Sequence, residues 1–231
     1  MKLFLLCLIL PFISQAQNPS AKAEGLFKSG KNAESKLLYK QIYAVNHSDL
    51  QAIERLGDIM SNVKVWDSAA YYYKKLTVIK PAVADYHYKY GGATGMHAKE
   101  CNNFVALGMI SEIRESFERA ISLNPKHVEA RWALIELYLN LPGIVGGSER
   151  KAAGYATQLL KISPVDGVLA QGRIAEYFSR YTVAEKHYKA AIEIGGSRNS
   201  YLKLAGLYRN KMNMPEKAKA IMEAYSKKNK S

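Results

Sequence analysis

The chain has 231 residues, 48% of them hydrophobic and 23% charged, with a formal net charge of +13. That length holds one or two packed domains, and that apolar content excludes a disordered chain. With 16 glycines, 7 prolines and 2 cysteines, collagen-like, mucin-like and disulfide-scaffold classes are excluded as well.

The N-terminus reads as a targeting segment. Lys2 supplies a positive start, Leu3 to Ile13 is an apolar run interrupted by Pro11, and Ser14-Gln15-Ala16 places small residues where a signal peptidase reads them. Residues 1–16 are therefore expected to be removed before Gln17, giving an exported protein, periplasmic or secreted. The run is too short for a stable membrane anchor. Cys7 leaves with it, so Cys101 is the one thiol of the mature chain and no internal disulfide is expected. Loss of Lys2 lowers the net charge to +12. From Ser197 onward, nine Lys/Arg stand against Glu216 and Glu223, a local balance of +7 that favours anionic surfaces by screened attraction.

Self-comparison finds a period near 34 residues, the length of a helical-hairpin repeat. With Leu50 as position 1, Leu56 and Gly57 fall at 7 and 8, Ala69 at 20, Tyr73 at 24, Leu76 at 27 and Pro81 at 32. Small residues at 8 and 20 let two antiparallel helices approach, the aromatic at 24 fills the space between hairpins, and the proline stops the second helix. The phase extends upstream through Gly30, Tyr39 and Ile42. Downstream it continues through Tyr90-Gly91 with Phe117, Ala120 and Pro125, then Leu134, Tyr138, Ala152, Leu159 and Pro164. Gly172, Ala184, Tyr188 and Ala191 follow, then Leu204-Ala205, Tyr208 and Ala218. Six units are expected at about 17–49, 50–83, 84–127, 128–166, 167–197 and 198–226, with a basic tail at 227–231. The third carries ten extra residues and the fourth five, including Pro142-Gly143 and Gly146-Gly147.

This pattern resembles the tetratricopeptide repeat (TPR), and the stretch from Phe117 to Pro164 is similar to small exported bacterial TPR proteins. The resemblance implies an all-α, right-handed superhelical solenoid of about six hairpins that binds proteins and carries no known reaction. In TPR proteins, positions 2, 5, 9, 12 and 13 of the first helix face the concave groove. Carried onto this chain they give Glu54, Asp58, Asn62, Tyr88, Trp132, Glu136 and Asn140 as the candidate partner-binding residues. Such an acidic, amide-rich groove favours a protein partner with basic and apolar residues. The carboxylate-clamp variety of the family is not matched, because Ser20 and Glu24 stand where it needs Lys and Asn.

No constellation for catalysis is present: no phosphate loop, His-Glu-x-x-His, Cys-x-x-Cys or Gly-x-Ser-x-Gly. No enzyme activity and no cofactor are expected. Gly143 to Ser148 reads as a long turn ending in a Ser148 N-cap. The tyrosines of Tyr71-Tyr72-Tyr73 and Tyr86-His87-Tyr88-Lys89-Tyr90 include repeat core positions, so nucleic acid is not an expected partner. Two alternatives stand beside the scaffold. One is an envelope-surface adaptor contacting anionic lipid or glycan through its C-terminal lysines. The other is a metal or small-molecule module at the enlarged third unit, where His97 and Cys101 lie four apart. Gly91, Gly92 and Gly95 are poor helix formers, so the helix containing them is expected to bend or open.

Overall fold

The structure is a computed structural model that describes residues 18–228. The expected signal segment, residues 1–16, and the end of the basic tail, residues 229–231, lie outside the described residues. The described chain is a succession of helical hairpins, each made of an A helix and a B helix. The pairs are α1 (Pro19–Lys28) with α2 (Asn32–Val45), α3 (Leu50–Asn62) with α4 (Trp66–Ile79), and α5 (Ala84–Ala98) with α6 (Asn103–Leu123). They continue with α7 (Val128–Asn140) and α8 (Glu149–Ile162), α9 (Pro164–Tyr177) and α10 (Tyr181–Gly195), and α11 (Arg198–Asn210) and α12 (Pro215–Lys228). No strand occurs among the described residues.

Most A helices begin at a side chain that satisfies an otherwise unpaired backbone N–H. The Asn18 side chain accepts from the N–H of Ser20 ahead of Pro19, Asp49 accepts from Ala52, and the buried His127 accepts at Nδ1 from Ala130. Ser148 caps α8 through the N–H of Lys151, as the sequence suggests. Before it, a single 3₁₀ turn at Gly143–Val145 folds back. At Gly147 a Cβ would lie 1.8 Å from the Leu141 carbonyl oxygen, so only glycine passes there.

Within hairpins, the small-residue and aromatic positions meet as the repeat demands. A Cβ on Gly57 would stand 2.6 Å from the Tyr73 ring, one on Gly172 2.4 Å from Tyr188, and one on Gly91 3.0 Å from Phe117. Ala69, Ala120, Ala152 and Ala184 are fully buried beneath the crossings. Three apolar clusters result. One runs from Ala23 to Ala93, a second from Ile113 to Ile174, and a third from Leu169 to Ala218. Trp132 packs against both the second and the third. Each helix packs chiefly on its neighbours in sequence, and A helices also touch at α1 with α3, α5 with α7 and α7 with α9. The closer A-helix spacing places that layer on the inner, concave side of the array.

Three expectations are corrected. Pro164 does not close the fourth hairpin: α8 ends at Ile162, and Pro164 opens α9 at its first position, where the missing N–H has no partner to lose. The fifth hairpin thus starts before residue 167. Helix α5 neither opens nor breaks through Gly91, Gly92 and Gly95, because it is packed between α4 and α6 with Tyr90, Ala93 and Thr94 buried. Lys227 and Lys228 belong to helix α12 instead of a tail.

Candidate functional site

The expected groove residues fall on the inner helices, but their charges are already engaged. Lys89 of α5 donates to Glu54 Oε1 at 2.6 Å and to Asp58 Oδ1 at 2.8 Å, both on α3. Arg55 donates to Asp58 at 2.9 Å and reaches back to α1, donating to Glu24 at 2.8 and 3.1 Å. Tyr73 donates its hydroxyl to Asp58 and Tyr39 donates to Glu24, each at 2.8 Å. A ladder of alternating charge therefore ties the first three A helices together. Burial pushes the Lys89 ammonium down, but its hydrogen bonds to Asp58 and Glu54 outweigh burial and leave it raised. The Arg55 guanidinium, the strongest influence on Glu24, holds that carboxyl at about 2.

The same device recurs in the fourth and fifth hairpins. Arg173 of α9 grips Glu136 of α7 bidentately, at 2.8 and 3.0 Å, while Asn140 donates to the Glu136 backbone carbonyl at 2.7 Å. Three carboxylates of the groove are thus engaged within the fold. Asp85 and Glu129, at position 2 of their helices, are largely exposed with His127 beside them, whereas Glu54, Asp58 and Glu136 are each paired with Arg55, Lys89 or Arg173. These counter-ions were missed because they lie outside the family's groove positions. Arg55 and Lys89 both occupy position 6 of their units, a recurrence visible in the sequence.

The aromatic candidates also make contacts within the fold. Trp132 donates its indole N–H to Asp166 on α9 at 3.0 Å. The Tyr88 ring lies 6.0 Å from Phe117 and 5.0 Å from His127, packed on the second cluster. Asn62 is exposed at the end of α3. His97 and Cys101 do meet, with Nε2 3.6 Å from Sγ, but no group of three metal-binding side chains exists among the described residues.

Glu136 and Asn140 also border a chamber of about 680 Å³ between α5, α6, α7 and the Gly143–Val145 turn. Both insertions contribute to it. Helix α6 has 21 residues where α2, α4 and α8 have 14, and its added N-terminal turns line the chamber. The chamber is predominantly aliphatic, with Leu107, Ile110, Ile113 and Leu137 among its walls.

Stacked hairpins with a small residue at 8 facing an aromatic at 24, curved with their A helices inward, decide the architecture. The fold is that of a tetratricopeptide-repeat protein. No family model matches the sequence, and no curated protein matches it. Among solved structures, the thermophilic TPR protein TTC0263 from Thermus thermophilus is 16% identical, with a TM-score of 0.63 over 83% of this chain and 97% of that one. A TPR protein from Parabacteroides merdae is 16% identical, with a TM-score of 0.65 over 89% of this chain and 77% of that one. YrrB, a TPR protein with an unusual peptide-binding site, is 17% identical, with a TM-score of 0.56 over 79% of this chain and 87% of that one. The all-α TPR solenoid is thereby common to chains that share little sequence.

Proposed function

We propose that this chain is a non-enzymatic interaction scaffold of the cell envelope that holds an extended segment or helix of a protein partner along its concave face. The observation that carries the reading is the inner layer of A helices, kept in fixed register by the Glu24–Arg55–Asp58–Lys89 and Glu136–Arg173 ladders. A rigid, preformed surface binds without the entropy cost of ordering itself. Because Glu54, Asp58 and Glu136 are paired internally, recognition at those positions rests on shape, amides and apolar contact. The peptide-binding site of YrrB is a precedent on this fold. Export rests on Lys2, the apolar run Leu3 to Ile13 and the Ser14-Gln15-Ala16 site.

A photo-crosslinking residue at Asn62 of α3, compared with one at the exposed Val78 of α4, tests the reading in the source organism. A protein adduct from Asn62 and none from Val78 is the expected result. No protein adduct from either position overturns it. N-terminal sequencing of the same purified protein reads Gln17 first if the export segment is removed.

A further inference from the structure

The chamber beside Glu136 has features that groove geometry alone does not require. Gly92 and Gly95 sit in the interior of α5, where each costs helix stability relative to alanine. Neither cost follows from packing. Gly91, one residue earlier, has Ser116 and Phe117 against it, whereas a Cβ on Gly92 would meet nothing within 4 Å and one on Gly95 only Ile113 at 3.7 Å. Both glycines line the chamber, so the missing side chains leave a shallow trough along its floor.

The walls are equally particular. Leu107 and Met96 remain 46% and 37% exposed, although each lines the chamber and has apolar neighbours available. Exposed apolar side chains around a concavity mark a binding surface. The volume of about 680 Å³ falls within the range of small-molecule sites. The polar groups at the rim are unequal. Glu136 is neutralised by Arg173, and Asn140 bonds Glu136, whereas Lys99 is the one basic residue of the lining and belongs to none of the ion pairs of the described residues. The site therefore combines an aliphatic lining with one basic side chain, Lys99, that makes no ion pair among the described residues.

We propose that this chamber binds the aliphatic chain of an anionic amphiphile, the chain lying over Gly92 and Gly95 and the acidic head at Lys99. The ligand class is a fatty carboxylate or the acyl chain of an anionic lipid. The chamber adjoins the concave face through Glu136 and Asn140, but Asn62, the position that tests the protein-scaffold reading, lies two helices away, so the two tests fail separately.

The test is displacement of the fluorescent fatty acid 11-dansylaminoundecanoate from the purified chain by palmitate, lysophosphatidylglycerol and hexadecanol. Saturable binding of one fluorophore per chain, displaced by palmitate or by lysophosphatidylglycerol, is the expected result, and the better competitor names the source of the chain. Gly92→Leu should weaken binding at least tenfold while the thermal midpoint stays or rises, because leucine favours the helix and fills the trough. If that variant fails to fold, Leu107→Glu, at an exposed position, serves in its place. Lys99→Ala should weaken palmitate several-fold and leave hexadecanol unchanged. The proposal is overturned if the unaltered chain shows no saturable binding, or if Gly92→Leu and Leu107→Glu both bind as tightly as the parent. It is equally overturned if neither lipid binds while Gly92→Leu abolishes the Asn62 protein adduct, which would make the occupant a partner's side chains.

Discussion

The same substitution, glycine to alanine, should have opposite effects at two sites on the A helices of the array. In both α3 and α5 the exchange removes backbone entropy from the unfolded chain and favours the helix by about 0.5–1 kcal/mol. At Gly92 nothing opposes that gain, since the new methyl group meets no atom within 4 Å. At Gly57 the methyl group would lie 2.6 and 2.8 Å from two ring carbons of Tyr73. That ring cannot swing aside cheaply. It is only 4% exposed, and its hydroxyl is held by Asp58 at 2.8 Å, which is itself bonded to Arg55 and Lys89. Overpacking of this kind costs about 1–3 kcal/mol, so Gly57→Ala should be destabilising by about 1–2 kcal/mol net while Gly92→Ala stabilises by up to about 1 kcal/mol. Urea melts followed by circular dichroism at 222 nm, on both variants and the parent, read the difference directly. A Gly57→Ala chain as stable as the parent would refute the argument that close approach to Tyr73 sets this position.

Glu24 and Trp132 give two more expectations. Glu24 sits at about 2 in the folded chain against 4.5 ordinarily, so its contribution to stability is present above the ordinary value and lost as the pH falls from there toward 2. Glu24→Gln should therefore flatten the acid limb of stability in that window, as measured by urea midpoints at successive pH values, and an unchanged slope would deny the Arg55 pairing its role. Trp132→Phe removes the hydrogen bond to Asp166 and thins the contact between two clusters. It should cost about 1–2 kcal/mol in the same melts, whereas a residue that serves only to anchor a partner would leave the melt unchanged.

The hairpin repeat was legible because its packing is local. Gly57 and Tyr73, or Gly172 and Tyr188, lie sixteen residues apart in sequence, and their sizes alone report the contact. The groove chemistry was not legible in the same way. Glu24 and Arg55, Asp58 and Lys89, or Glu136 and Arg173 are 31 to 37 residues apart, so each carboxylate reads as free until the neighbouring unit is placed beside it. Pro164 misled because proline both ends one helix and begins another, and only the position of Ser163 distinguishes the cases. The glycines of α5 stand out in the sequence, but which of them faces a neighbour and which faces open space depends on the helices packed beside them. The chamber depends on where the extra turns of α6 come to rest, which no spacing rule states.

The joint between α8 and α9 has a mechanical consequence. Ser163 is the whole connection: its N–H closes α8 on Leu159 at 2.7 Å, and its carbonyl accepts the first bond of α9 from Gly167 at 2.9 Å. A Cβ on Gly167 would meet the backbone of Leu160 at 2.4 Å, so the corner is closed as tightly as a chain permits. Such a joint has no slack and transmits torque as a rigid elbow. The link from α5 to α6 is looser, with residues 99–102 lying between the two helices. The fourth and fifth hairpins are thus coupled through this corner more directly than the hairpins joined by the four-residue links at 46–49, 80–83 and 124–127.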